Sequence, residues 1–209
     1  MVDMSSESEG RQAHWDDRYT TVGASAVSWY EPEPIGSLQL FDRVGVTSAS
    51  SVIDVGGGAS HFVDALLARG FRDLTVLDVS QVALDEARRR TGDRPEVAWV
   101  HADLLDWVPA RRWAVWHDRA VFHFLTSPAE RATYRNLVRQ AVQSGGVIIV
   151  ATFAPDGPER CSGLPVQRFS PEDLAVELGD GLELLAGTRS GHETPTGAIQ
   201  PYSWVALRI

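Results

Sequence analysis

Lysine is absent from this chain. Its 209 residues include 19 that are Lys or Arg, and every one is Arg. That excludes a Schiff-base lysine, a Ser–Lys dyad and the lysine of a P-loop. Cysteine is nearly absent: the lone Cys161 rules out an intramolecular disulfide framework and a Cys-rich zinc site. The longest apolar run, Val147–Ala151, is far shorter than a membrane span, so no membrane partner is expected. Positive charge is in deficit. The net charge of −9 repels phosphate backbones, so nucleic acid is not an expected partner. The opening MVDMSSESEGRQ has neither the basic nor the apolar region of a signal peptide, and the expected compartment is the cytoplasm. The six His residues show no H-x-x-x-H or H-E-x-x-H spacing, so no metal site is expected.

What is present suits a globular fold. Residues 1–12 are polar and acidic and are expected to be disordered; 13–209 are expected to form one domain. From Ser51 onward, short β-branched runs alternate with amphipathic stretches: 51–55, 74–78, 97–101, 113–117 and 147–153 read as strands, with helices at 61–69, 80–90, after Ser127-Pro-Ala-Glu130 and after Ser170-Pro-Glu-Asp173. Gly145-Gly146 is expected to stop the third of these helices. Runs 182–189 and 203–209 read as a terminal antiparallel hairpin. Such alternation predicts an α/β fold: a doubly wound, Rossmann-like, seven-stranded and mostly parallel sheet with helices on both faces. Ligands then bind beyond the carboxyl ends of the strands. The 153–169 loop, rich in Gly and Pro, falls on that side.

The first run ends in Asp54-Val-Gly56-Gly57-Gly58-Ala-Ser60, and the next strand ends in Asp78. Glycines there allow close approach of backbone to ligand, and an acid at the second strand end can accept both hydroxyls of a ribose. A dinucleotide requires G-x-G-x-x-G, but the last position here is His61. S-Adenosylmethionine has no phosphate, and three carboxylates at successive strand ends, Asp54, Asp78 and Asp103, match a cationic cofactor.

These motifs resemble the class I S-adenosylmethionine-dependent methyltransferases. More narrowly, they are similar to the branch containing the seven-strand lysine methyltransferases of elongation factor 1A and their bacterial relatives. The resemblance is carried by His14-Trp-Asp-Asp-Arg18-Tyr19, Ser28-Trp-Tyr30, the glycine loop, Leu77-Asp-Val-Ser80 and the block Trp113–Leu125. It implies cofactor contacts at Trp15, Tyr19, Trp29, Gly56, Asp78, Val79, Asp103, Leu104 and Arg119. Arg18, Tyr30, Asp54, Gly58 and His117 complete the expected cofactor set. The aromatic segment 13–36 is expected to act as a lid near the sulfonium, or as a staple for an extra helix.

Three residues are candidates for catalysis: His117 as a general base, or as a backbone contact only; Asp118, orienting a substrate amine or holding Arg119; and His123. His192, Gln200 and Tyr202 flank the terminal hairpin and are candidate substrate contacts. The expected function is methyl transfer to an N or O atom, with a small molecule as the partner. A protein-lysine acceptor is the alternative, since the His123 segment and the Cys161 loop differ from the eukaryotic enzymes. An NAD-dependent oxidoreductase is a further alternative on the same sheet.

Overall fold

Aliphatic runs become strands because burying both of their faces requires a sheet covered on each side. The computed structural model describes residues 4–209, with side-chain surroundings from residue 7. β1 (Val52–Val55) and β2 (Leu74–Asp78) are buried at every position. β3 (Val97–His101), β4 (Trp113–Arg119) and β5 (Val142–Phe153) complete the parallel set. Two further strands, β6 (Arg160–Cys161) and β7 (Leu164–Pro165), form a small separate hairpin. The terminal hairpin is β8 (Glu183–Glu193) and β9 (Ile199–Arg208), each longer than the sequence suggested. The main sheet runs β3-β2-β1-β4-β5-β9-β8, with β9 antiparallel to both neighbours. β8 is thus parallel to β5, and its turn to β9 lies at the carboxyl rim.

The helices are α1 (Met4–Val22), α2 (Ile35–Arg43), α3 (Phe62–Ala68), α4 (Gln81–Thr91), α5 (Pro128–Ala141) and α6 (Pro171–Leu178). Phe41, Phe62, Leu66 and Leu84 pack one face of the sheet, whereas Tyr134, Leu137, Leu174 and Leu178 pack the other. α5 has the reciprocal Ser127–Glu130 capping box. α6 has half of it, Ser170 accepting the Asp173 N–H, because Asp173 is too short to reach back.

Two expectations need correction. The N-terminal stretch expected to be disordered is helical from Met4; residues 1–3 lie outside the described residues. Tertiary tethers hold α1 in place. Arg11 Nε donates to Asp103 at 2.5 Å, and Asp16 accepts the Ser80 hydroxyl at 2.7 Å and the Val82 N–H at 3.2 Å. Gly145 and Gly146 do not stop α5, which ends at Ala141. They sit within β5, where the register shifts between Trp113 and Val115; a Cβ on Gly146 would meet Val142 Cγ1 at 2.6 Å.

Ser80 caps α4 through the Ala83 N–H and also holds α1 through Asp16. Ser80→Ala is expected to cost about 1–2 kcal/mol in urea unfolding. A loss indistinguishable from zero would show that α1 does not dock in solution.

Candidate functional site

β1 and β4 are neighbours, but the chain winds away from them in opposite directions, leaving a crevice beyond their carboxyl ends. A cavity of about 950 Å³, counted to its open mouth, occupies that crevice. Trp15, Tyr19, Trp29, Gly56, Asp78, Val79, Asp103, Leu104 and Arg119 all line it. An adjoining cavity of about 540 Å³ shares Tyr19, Trp29, Gly56 and Arg119 and adds Tyr30, Ser37, Asp54 and His117.

The glycine loop is set by backbone geometry. Gly56 and Gly58 have φ of +64° and +44°, in the left-handed region that favours glycine. A Cβ on Gly56 would lie 2.0 Å from Val121 Cγ2. On Gly58, which faces neither cavity, it would lie 2.9 Å from both Asp78 Oδ2 and the Tyr19 hydroxyl. Ala120, at the end of β4, has φ +73° without being glycine, a strained conformation in the cavity wall.

Each of the three carboxylates has a partner. Asp54 Oδ1 meets His117 Nδ1 at 2.7 Å. Asp78 accepts the Ser80 N–H at 2.8 Å. Burial, with the nearby charges of Asp54 and Asp16, pushes Asp78 up to about 7. Asp103 accepts from Arg11 and from the Leu105 N–H. Aromatic rings close the far side. Trp15 meets Trp29 at 5.6 Å and Phe124 at 5.1 Å, both edge-on.

The three catalytic candidates are not brought together at the cavity. His117 is buried between Phe62 (ring centroids 4.1 Å apart) and Phe41, and its Nε2 lies 2.9 Å from the Ser37 hydroxyl. Asp54 and Ser37 engage both ring nitrogens, so the ring braces Asp54 on the wall of the adjoining cavity. Asp118 neither orients a ligand nor holds Arg119. It accepts the Val121 and Phe122 N–H groups and the Tyr134 hydroxyl, fixing the 3-10 turn at Phe122–Phe124. Burial raises Asp118 to about 6 against those bonds. His123 is fully buried, lines none of the cavities described here, and is pushed down to about 3 by burial and by the charge of Arg119. It accepts the Phe153 N–H at 3.4 Å.

Of the expected cofactor residues, Arg18 lines neither cavity and lies near the Cys161 thiol. Arg11, Phe124 and Cys161 line the main cavity without having been anticipated. Arg11 lay in the stretch taken as disordered, and Cys161 reaches the cavity only because β6 and β7 fold the 153–169 segment back. Burial pushes its thiol up to about 11, so it stays protonated.

The sheet order, the crevice and the glycine loop define a Rossmann-like fold. A family profile described as a methyltransferase domain matches residues 52–146, from β1 into β5. Solved structures share the fold. A S-adenosylmethionine-dependent methyltransferase from Anabaena variabilis aligns with a TM-score of 0.73 at 15% identity, covering 97% of this chain and 94% of that one. The 1,6-didemethyltoxoflavin-N1-methyltransferase of Burkholderia thailandensis, solved with 1,6-didemethyltoxoflavin and S-adenosylhomocysteine, aligns at 0.68 and 19% identity, covering 97% and 85%. The eEF1A lysine and N-terminal methyltransferase of Mus musculus is 23% identical over 72% of this chain, which spans only 22% of the length of that relative. Residues 52–146 thus match a methyltransferase-domain profile, and the whole chain has the fold of S-adenosylmethionine-dependent methyltransferases.

The cavity suits that cofactor. A pyrophosphate would face Asp54 and Asp78, whereas a phosphate-free sulfonium would meet carboxylates and aromatic rings. Asp78→Asn separates two effects. A carboxylate raised to about 7 by burial favours the folded state below its unfolded value near 4 and loses that contribution as pH rises toward 7. At pH 8 the variant is therefore expected to melt a few degrees higher than wild type when ligand-free, with the gain shrinking at pH 5. The same variant is expected to bind S-adenosylhomocysteine about ten-fold more weakly, because ribose acceptors are lost. Unchanged affinity by calorimetry would remove Asp78 from the cofactor site.

Proposed function

We propose that the protein is a S-adenosylmethionine-dependent methyltransferase acting on an N or O atom of a small molecule. The reading rests on the closure of the acceptor end. The 153–169 segment folds over it as the β6–β7 hairpin, places Cys161 in the cavity wall, and is pinned by the Gln167 N–H on the His123 carbonyl at 2.7 Å and the Phe169 N–H on the Phe153 carbonyl at 3.1 Å. A crevice walled on this side admits a compact acceptor more readily than a protein side chain on a large partner. We assign the cofactor contacts to Trp15, Tyr19, Trp29, Asp54, Gly56, Asp78, Val79, Asp103 and Leu104, with segment 13–36 as the lid and Arg119 between cofactor and acceptor.

The cofactor supplies a sulfonium methyl: the acceptor's lone pair forms the new bond and the S–C electron pair returns to sulfur. The protein's part is alignment and exclusion of water. No histidine is poised as a base. Glu31, raised by burial but held low on balance by His192 and Arg119, is a weak one. The acceptor must therefore arrive already nucleophilic.

Incubation with methyl-labelled cofactor and a cell extract split into low-mass and macromolecular fractions tests the acceptor class. Label is expected in the low-mass fraction; label confined to protein would favour the lysine alternative suggested by the mouse relative. His117→Ala is expected to destabilise the fold by about 2–4 kcal/mol, because Asp54 loses its buried partner. Its pH–rate profile is expected to keep the wild-type limbs. Loss of the acidic limb would restore His117 as a base.

A further inference from the structure

Three cavities meet at Arg119. Two are the adjoining pair assigned above to the cofactor. The third is an open cleft at the carboxyl rim, between segment 25–39 and the β8–β9 hairpin, lined by Glu31, His192, Tyr202 and Trp204 as well as Arg119. Hydrogen-bond donors outnumber acceptors at this junction. Arg119 Nη1 donates to the Trp29 carbonyl at 3.0 Å, and Nη2 forms an ion pair with Glu31 at 2.9 Å. Its Nε is buried and has no hydrogen-bond partner among the described residues. The guanidinium lies over the Tyr202 ring, 5.0 Å from the centroid. Tyr202 is 1% exposed, and its hydroxyl also lacks a partner among the described residues. Burial raises that phenol above its ordinary range, so it remains a donor.

Glu31 does not restore the balance. It also faces His192 Nδ1 at 3.1 Å, while His192 Nε2 lies 2.7 Å from the Ser28 carbonyl. Glu31 is therefore shared between His192 and the Arg119 guanidinium. Arg18 adds another positive charge near Cys161. The remaining carboxylates of the cleft, Glu33 and Glu193, are exposed at its mouth and screened by solvent. Buried donors left unpaired are costly. A ligand amine would leave them so, whereas an oxyanion would pair them with charge assistance.

We propose that the acceptor carries an oxyanion of the carboxylate or phosphonate class, bound by Arg119 Nε and the Tyr202 hydroxyl at the inner end of the rim cleft. This rests on the small-molecule reading above and names its chemistry. An anionic oxygen also needs no base, which agrees with the engagement of His117, Asp118 and His123 elsewhere. Its own electron pair makes the O–CH3 bond, the pair of the broken S–CH3 bond stays on sulfur, and no proton moves.

The test is calorimetry on the complex with S-adenosylhomocysteine, using benzoate, phenylphosphonate, benzamide and benzylamine as probes. At least one oxyanion is expected to bind about ten-fold or more tightly than the amide and the amine. Tyr202→Phe removes only a hydroxyl that the protein does not pair, so its melting temperature should not fall. Its oxyanion affinity should drop about ten-fold while S-adenosylhomocysteine affinity is unchanged. Oxyanion binding that Tyr202→Phe leaves intact, equal binding of benzylamine, or no oxyanion binding at millimolar concentration would each overturn the proposal. Arg119→Gln separates the competing role. If it weakens S-adenosylhomocysteine but not 5′-methylthioadenosine, the guanidinium holds the cofactor carboxylate and the proposal fails. If wild type binds no S-adenosylhomocysteine at all, the failure lies in the cofactor reading.

Discussion

Three carboxylates end three adjacent parallel strands, and the cost of keeping them buried governs what surrounds them. A buried carboxylate without a partner is penalised by several kcal/mol. Each is therefore met by a different part of the chain: Asp54 by His117 from β4, Asp78 by the backbone at the start of α4, Asp103 by Arg11 from α1. These pairings tie one edge of the sheet to its centre and dock the N-terminal helix across the crevice. The loop glycines follow from the same crowding, since a Cβ on Gly57 would sit 2.4 Å from Asp54 Oδ2.

Strand alternation sorts the residues after the glycine loop. Along β4, Trp116 and Asp118 share one face and converge on the Tyr134 hydroxyl of α5. His117 and Arg119 share the other, His117 reaching Ser37 at the start of α2 and Arg119 reaching Trp29 and Glu31. Four consecutive side chains are thus divided between a turn-fixing network, a carboxylate support and the junction of the cavities. Of the four, Arg119 lines both the main cavity and the rim cleft.

Local patterns made much of this legible. The strand runs, the glycine loop, the acids at 54, 78 and 103 and the Ser127 capping box are encoded within a few residues of one another, and the structure places them as the spacing implies. The failures are all long-range. α1 has almost no apolar face, so nothing local announces a helix that Asp103 and Ser80 hold from 92 and 64 residues away. Gly145-Gly146 resembles a helix stop but serves a register shift that exists only once β4 is paired. The period of two that separates His117 from Asp118 was present in the sequence, yet two polar residues at one strand end invite being read together.

The absence of lysine bears on this junction. An ammonium at position 119 would be a single point of charge, able to lose its proton when desolvated. A guanidinium keeps its charge and divides its donors by direction. Here Nη1 and Nη2 reach the Trp29 carbonyl and Glu31, both in the segment that covers the crevice, while Nε remains buried and unpaired among the described residues. The same rigid plane thus tethers that segment and, under the proposal above, offers Nε to an acceptor entering from the rim. Under the proposal above, one planar cation thus joins the segment beside the crevice to the acceptor's anchor, a link that depends on the shape of the fork as much as on its charge.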